Sequence, residues 1–155
     1  MAEEIERKFL VKDDSWRDQV QKSTPFHQGY LSTDADRNVR VRTKGDKAVL
    51  TVKGRAEGIR RLEFEYEIPK ADAEALLEQL CLPTVIRKTR HLVEHAGFIW
   101  EVDEFFGANE GLIVAEVELE SEDQSFEAPP WVGDEVTDDT RYLNAALVSR
   151  PFKDW

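Results

Sequence analysis

The sequence contains one cysteine, Cys81, so it can form no internal disulfide and no cysteine-based zinc site. That scarcity fits a reducing compartment. No run approaches the roughly 20 apolar residues that span a bilayer. The opening Met1-Ala2-Glu3-Glu4 is acidic with no apolar stretch behind it, unlike a secretory signal. These absences lead us to expect a soluble, cytoplasmic protein. The phosphate-binding loop of P-loop NTPases is also missing, since Gly54 and Gly58 are not followed by Lys and a hydroxyl residue. Neither GxSxG nor HExxH occurs. Positive charge is in the minority: 21 bases stand against 32 acids, a net charge of −11. Nucleic acid and anionic membranes are therefore not expected partners, because both select a basic surface.

What is present reads as one domain spanning 1–155, with 41% hydrophobic residues to build a core. Short alternating segments separated by turn signals predict strands over Glu3–Val11, Phe26–Ser32, Asn38–Lys44, Ala48–Gly54, Arg61–Pro69, Val85–Glu94, Phe98–Phe105 and Leu112–Glu120. Gly45 and Gly97 fall where hairpins need a positive φ. Helical spacing predicts helices over Lys70–Leu80 and Asp138–Ser149, with a weaker one over Ser15–Gln21. The expected fold is mainly β (α+β), an eight-stranded antiparallel barrel with two or three flanking helices. A β-sandwich is the alternative.

Residues two apart on a strand share a face, and here whole faces carry one sign of charge. Arg40, Arg42 and Lys44 line up opposite Val39 and Val41, while Glu63, Glu65 and Glu67 line up opposite Leu62, Phe64 and Tyr66. Glu116, Glu118 and Glu120 form another acidic row. Lys88-Arg90 is a further basic row and Glu101-Asp103 a further acidic one, while Glu4-Glu6-Lys8 mixes signs and Thr51 aligns with Lys53. A wet outer sheet face is the ordinary explanation of any single row. Like charges so placed repel by about 0.6 kcal/mol in water and about 2.5 kcal/mol at an effective dielectric near 20, so enclosed rows need counter-ions. Gathered inside a barrel, the carboxylates suit hard divalent cations and the Arg/Lys set suits a polyanion. A triphosphate bridged by metal ions satisfies both.

The string EIERKFLV, with its Glu4-x-Glu6-x-Lys8 core, resembles the signature of the CYTH superfamily, the triphosphate tunnel metalloenzymes. The likeness continues in family order through Gln28-Gly29-Tyr30, Arg40-x-Arg42, Thr51-x-Lys53, Glu63-x-Glu65, Lys88-x-Arg90, Asp103, Glu116-x-Glu118 and PPWVGDEVTDDTRYLN. It is greatest with the short, single-domain bacterial members that hydrolyse inorganic triphosphate. The resemblance implies that Lys8, Arg40, Arg42, Lys53, Lys88 and Arg90 bind substrate. It implies that Glu4, Glu6, Glu63, Glu65, Asp103, Glu116 and Glu118 hold Mg²⁺ or Mn²⁺, as two ions. Lys88 matches the lysine that orients or deprotonates the attacking water, and the helix from Asp138 matches one that closes a tunnel mouth. Thiamine or nucleoside triphosphatase, adenylate cyclase and a non-catalytic polyphosphate binder stay open as alternatives. The placement of Lys44, Arg61, Glu67, Glu101 and Glu120 is undecided. Tyr30 is expected to pack rather than react, and His27, His91 and His95 to stay outside the chemistry. With charges inside, the apolar strand faces must look outward, and two or three helices cannot cover them all, so a homodimer is expected.

Overall fold

Alternation of apolar and charged residues gives most of the strands one greasy and one charged side, and antiparallel pairing joins these sides into two continuous surfaces. In the computed structural model, which describes residues 3–155, the strands are β1 (Glu3–Val11), β2 (Val20–Thr33), β3 (Asn38–Lys44), β4 (Lys47–Lys53), β5 (Arg60–Glu67), β6 (Ile86–His95), β7 (Phe98–Phe105), β8 (Ile113–Glu118) and β9 (Val132–Glu135). The helices are α1 (Lys70–Gln79) and α2 (Asn144–Ser149). The sheet runs β5-β4-β3-β2-β6-β7-β8-β1, and β1 pairs back onto β5 through Glu3–Ile5, closing an eight-stranded antiparallel barrel. Beyond that short seam β1 changes partner, and Phe9–Val11 pair with β9.

Turn chemistry sets the hairpins. Gly45 (φ 60°) supplies the left-handed residue between β3 and β4. Ala96 (φ 50°) and Gly97 (φ 84°) do the same between β6 and β7. Strand β2 starts six residues before the expected boundary and carries Pro25 in its interior. The Pro25 carbonyl accepts from Gly45 N at 3.1 Å. Its absent N–H therefore faces the end of β3, where no ladder bond is lost.

Three other boundaries differ from expectation. The segment around Trp131 forms β9, which its four residues did not signal as a strand. The weak helix near Ser15 is a 3-10 turn over Ser15–Gln19. The C-terminal helix covers only Asn144–Ser149, because the Asp139 carboxylate accepts from Arg141 N and tightens Thr140–Tyr142 into a 3-10 turn. Leu143 then takes an extended conformation (ψ 134°) that interrupts the helix.

Most apolar residues lie on the outer wall and under its covers, and a smaller set, Phe26, Tyr30 and Phe105 among them, fills one end of the lumen. Trp16, Trp131 and the partly buried Phe126 pack over Phe9, Trp100, Val102 and Val117. Helix α1 covers Val41 and Ala48 and approaches β2 at Gly29, where a Cβ would meet Leu77 and Cys81 at 3.0 and 3.1 Å. Leu147 of α2 and Phe152 pack over Tyr30, Ile86 and Phe105 at one barrel end. Among the described residues nothing covers the outer face of β5: Leu62, Phe64 and Tyr66 are 45%, 43% and 59% exposed. Among the described residues no helix is long and apolar enough to cross a membrane.

Candidate active site

The register brings the charged rows together in the barrel lumen. Across the wall, Glu6 faces Glu118, Lys8 faces Glu116, and Glu116 faces Glu101. Arg90 faces Asp103, Lys53 faces Glu63, and Thr51 faces both Glu65 and Arg40. The lumen cavity measures about 630 Å³. Its wall includes Glu4, Glu6, Lys8, Arg40, Arg42, Lys53, Glu63, Glu65, Lys88, Arg90, Glu116 and Glu118. Lys44, Arg61 and Glu101, left undecided by the sequence, also line it, whereas Glu67 and Glu120 do not.

Asp103 sits differently from the expected metal-ligand arrangement. It is fully buried behind the wall, and both its oxygens are occupied. Oδ1 accepts from Arg90 Nε at 2.8 Å, and Oδ2 accepts from Arg90 Nη2 at 2.9 Å and Lys88 Nζ at 2.7 Å. Asp103 thus acts as a counter-ion for two cations.

The bases divide into two groups. Lys53 lies 3.0 Å from Glu4 and 3.2 Å from Glu63. Lys8 and Arg90 flank Glu116 at 3.6 and 3.7 Å, and Arg90 reaches Glu101 at 2.9 Å. Arg40 and Arg42 are under-neutralised by comparison. Arg42, 5% exposed, has no carboxylate partner among the described residues and spends its Nε on Gln28 Oε1 at 2.8 Å. Arg40 is 3.9 Å from Glu65, and its buried Nε has no acceptor among the described residues. Guanidinium donors held this way match phosphate oxygens.

The acids are crowded in turn. Burial, then Glu116 and Glu4, push Glu6 well above the usual carboxylate range. Burial and Glu4 push Glu63 up to about 7, while Glu4, although burial opposes its charge, is held at about 2 by Lys53. Burial, then Glu4, also raise Glu118. Glu116 is lowered despite burial, by Lys8 and Arg90. Among the described residues no three His, Cys, Asp or Glu side chains converge as they stand on a single metal-binding point, since the lysines and arginines draw several of them away. The crowding is the chemistry of a cation site: Glu6, Glu63 and Glu118 resist ionisation because of burial first and neighbouring carboxylates second, and a divalent ion would offset both. The donor set fits a hard metal.

Lys88 occupies the apolar end of the lumen. It is 2% exposed, with its ammonium nitrogen 5.4 Å from the Phe105 ring and 5.9 Å from Phe26. Burial pushes its pKa down to about 7, with Arg90 and Arg42 adding to the shift and Asp103 opposing it. The Phe26 ring also lies 4.8 Å from the Arg42 guanidinium and 5.1 Å from Arg90, so its π-face stands among three cations. Phe26, Gln28 and Tyr30 share one strand parity, a signal that could have placed all three in the lumen. Asn144 had no such signal: its carboxamide oxygen accepts from Lys88 Nζ at 2.9 Å and from Gln28 Nε2 at 2.8 Å, across 56 and 116 residues of sequence.

The histidine at 91 points away from the lumen. Its Nδ1 is 2.7 Å from Ser23 Oγ and its Nε2 is 3.2 Å from Glu104, in a Ser–His–Glu chain on the outer wall beside Trp16.

This lumen has relatives. The CYTH domain family matches residues 2–150. An inorganic triphosphatase of Acetivibrio thermocellus is 50% identical over 155 residues, covering 100% of this chain and 99% of that protein. One from Nitrosomonas europaea is 39% identical over 148 residues, covering 93% and 95%. Among solved structures, the inorganic triphosphatase NE1496 superposes with a TM-score of 0.68 at 37% identity, covering 94% of this chain and 93% of the other. PH1012 from Pyrococcus horikoshii shares the fold at a TM-score of 0.60 and 18% identity, covering 77% and 80%. With its acids and bases segregated around a closed antiparallel lumen and its whole length matched by these proteins, the chain belongs to the CYTH domain family.

Proposed function

We propose that this protein hydrolyses inorganic triphosphate to pyrophosphate and phosphate inside the barrel, as a single tunnel domain. The observation that carries the reading is the pairing of two under-neutralised guanidiniums, Arg40 and Arg42, with crowded carboxylates across one lumen. The relatives named as inorganic triphosphatases support it. Arg40, Arg42, Lys8, Lys53 and Arg90 bind the phosphate oxygens, and Asp103 holds Arg90 and Lys88 in position. Mg²⁺ or Mn²⁺, as two ions held by Glu4, Glu6, Glu63, Glu65, Glu116 and Glu118, supplies charge neutralisation and Lewis acidity when bound. Water attacks a terminal phosphorus in line. The new O–P bond forms as the bridging P–O bond to the pyrophosphate group breaks, and Lys88 Nζ accepts the water proton.

The segment Thr140–Ser149, whose residues line one side of the cavity, closes that end of the tunnel. The bare outer face of β5 pairs with a second copy, making a homodimer, and the protein works in the cytoplasm. A concentration-independent monomer mass by sedimentation would exclude the dimer.

The deciding experiment measures phosphate, pyrophosphate and cyclic-nucleotide release from tripolyphosphate, ATP and thiamine triphosphate, with Mg²⁺ or Mn²⁺. Preferential turnover of tripolyphosphate is expected. Tight triphosphate binding without turnover would identify a carrier, and turnover confined to an organic triphosphate would reassign the substrate.

A further inference from the structure

Hydrogen bonding around Asn144 has only one consistent polarity. Arg42 Nε is a donor and nothing else, so the Gln28 atom it meets at 2.8 Å is the acceptor Oε1. The other end of the Gln28 carboxamide must then donate, and it meets Asn144 at 2.8 Å. The Asn144 atom at that point is therefore its oxygen, and the same oxygen stands 2.9 Å from Lys88 Nζ. A buried guanidinium thus dictates the orientation of two carboxamides in series, and the last one aims a lone pair at the lysine.

We propose that Asn144 is a positioning residue for Lys88, so that α2 completes the hydrolytic site as well as flanking it. A lysine amine that is to accept a proton has two N–H bonds and one lone pair. Asp103 Oδ2 at 2.7 Å and Asn144 Oδ1 at 2.9 Å take the two N–H bonds. The lone pair is left in the remaining tetrahedral direction, and Lys88 itself forms part of the cavity wall. With Asp103 alone, the amine rotates about its Cε–Nζ bond and its lone pair samples directions that include the Phe26 and Phe105 rings. A second fixed acceptor removes that freedom before substrate arrives, which is the form in which orientation lowers a barrier. Among the described residues Asn144 makes no hydrogen bond to Arg40 or Lys53 and meets Arg42 only through Gln28, whose Oε1 still accepts from Arg42 when Asn144 is replaced, so its contribution belongs to turnover and not to triphosphate affinity.

The inference rests on the proposed triphosphatase activity, and the test separates the two. The wild type, Asn144→Leu (similar shape, no acceptor) and Asn144→Ala are assayed on tripolyphosphate with Mg²⁺, alone and in a Lys88→Ala background. We expect both substitutions to lower kcat by about 10-fold to 100-fold, a share of what a positioned base contributes, with KM unchanged. We expect no further loss when Lys88 is already alanine, since residues acting as a unit are not additive. Far-UV circular dichroism and melting temperature identify any variant that misfolds; if Asn144→Leu does, Asn144→Ala decides. An equal loss in both backgrounds, or a loss appearing in KM, would mean that Asn144 only docks α2 and would overturn the proposal. An active wild type with unaffected variants would also overturn it. No turnover by the wild type would overturn the triphosphatase reading itself, and the positioning role with it.

Discussion

Lys88 Nζ and Asp103 Oδ2 stand 2.7 Å apart with both side chains closed to solvent. The same carboxylate holds Arg90. One buried anion therefore serves two buried cations, and its removal takes from Lys88 its carboxylate partner and leaves Arg90 with only Glu101 and Glu116. Burial works against the Asp103 charge, yet Arg90 and Lys88 keep its pKa well below the usual range. We expect Asp103→Asn to destabilise the protein by about 3–5 kcal/mol, the cost of breaking a buried pair from one side. In urea titration, a midpoint within error of wild type would show that the cations find other partners.

Replacing Lys88 by alanine tests the proton acceptor directly. An amine with a pKa near 7 is neutral above that pH, so activity carried by it rises as pH passes through about 7. For Lys88→Ala at saturating metal, kcat is expected to fall about 100-fold or more, with loss of that rising limb. Retention of the limb would assign it to another group.

The Arg42→Met variant should separate function from stability. Arg42 is buried without a carboxylate partner among the described residues, and burial, Arg40 and Arg90 all lower its pKa. Removing an unneutralised buried cation should raise metal-free stability by about 1–2 kcal/mol, even though Gln28 loses a donor. Affinity for triphosphate should drop at least about 10-fold, because a charge-assisted donor is gone. Isothermal calorimetry and thermal melting give the two numbers. A simultaneous loss of stability would contradict the view that Arg42 is kept for its ligand.

Glu63 couples stability to pH and metal. Its folded pKa, about 7, lies above its ordinary value of 4.5. Such an acid binds an extra proton when folded, so its contribution is full below about pH 4.5 and is lost as pH rises to about 7. Glu6 acts in the same direction. The metal-free melting temperature should therefore carry a downward component between about pH 5 and about pH 7. Glu63→Gln should reduce that component, and saturating Mg²⁺ should offset it by stabilising the ionised carboxylates. Calorimetric melts at several pH values, with and without Mg²⁺, measure this. Identical pH curves for wild type and Glu63→Gln would refute the assignment.

Strand parity makes the lumen legible in the amino-acid sequence. A period of two assigns Arg40 with Arg42, Glu63 with Glu65 and Glu116 with Glu118 to common faces whatever the barrel's final shape. The inversion is readable too, since Val39, Val41, Leu62 and Phe64 alternate with those charges. Short elements are harder to read. Strand β9 has four residues, too few to display a period, and the C-terminal helix begins at Asn144 because Asp139 prefers its own backbone turn.

The sequence by itself determined which residues share a face, because side-chain direction along a strand is a local property of the chain. Tertiary structure decided how those faces meet. It placed Asp103 behind the wall as a clamp for Lys88 and Arg90, left Arg42 without an acid, and set Asn144 against a lysine 56 residues away. Neutralisation and hydrogen bonding depend on distances between strands and on what the last helix covers, and no local pattern encodes those.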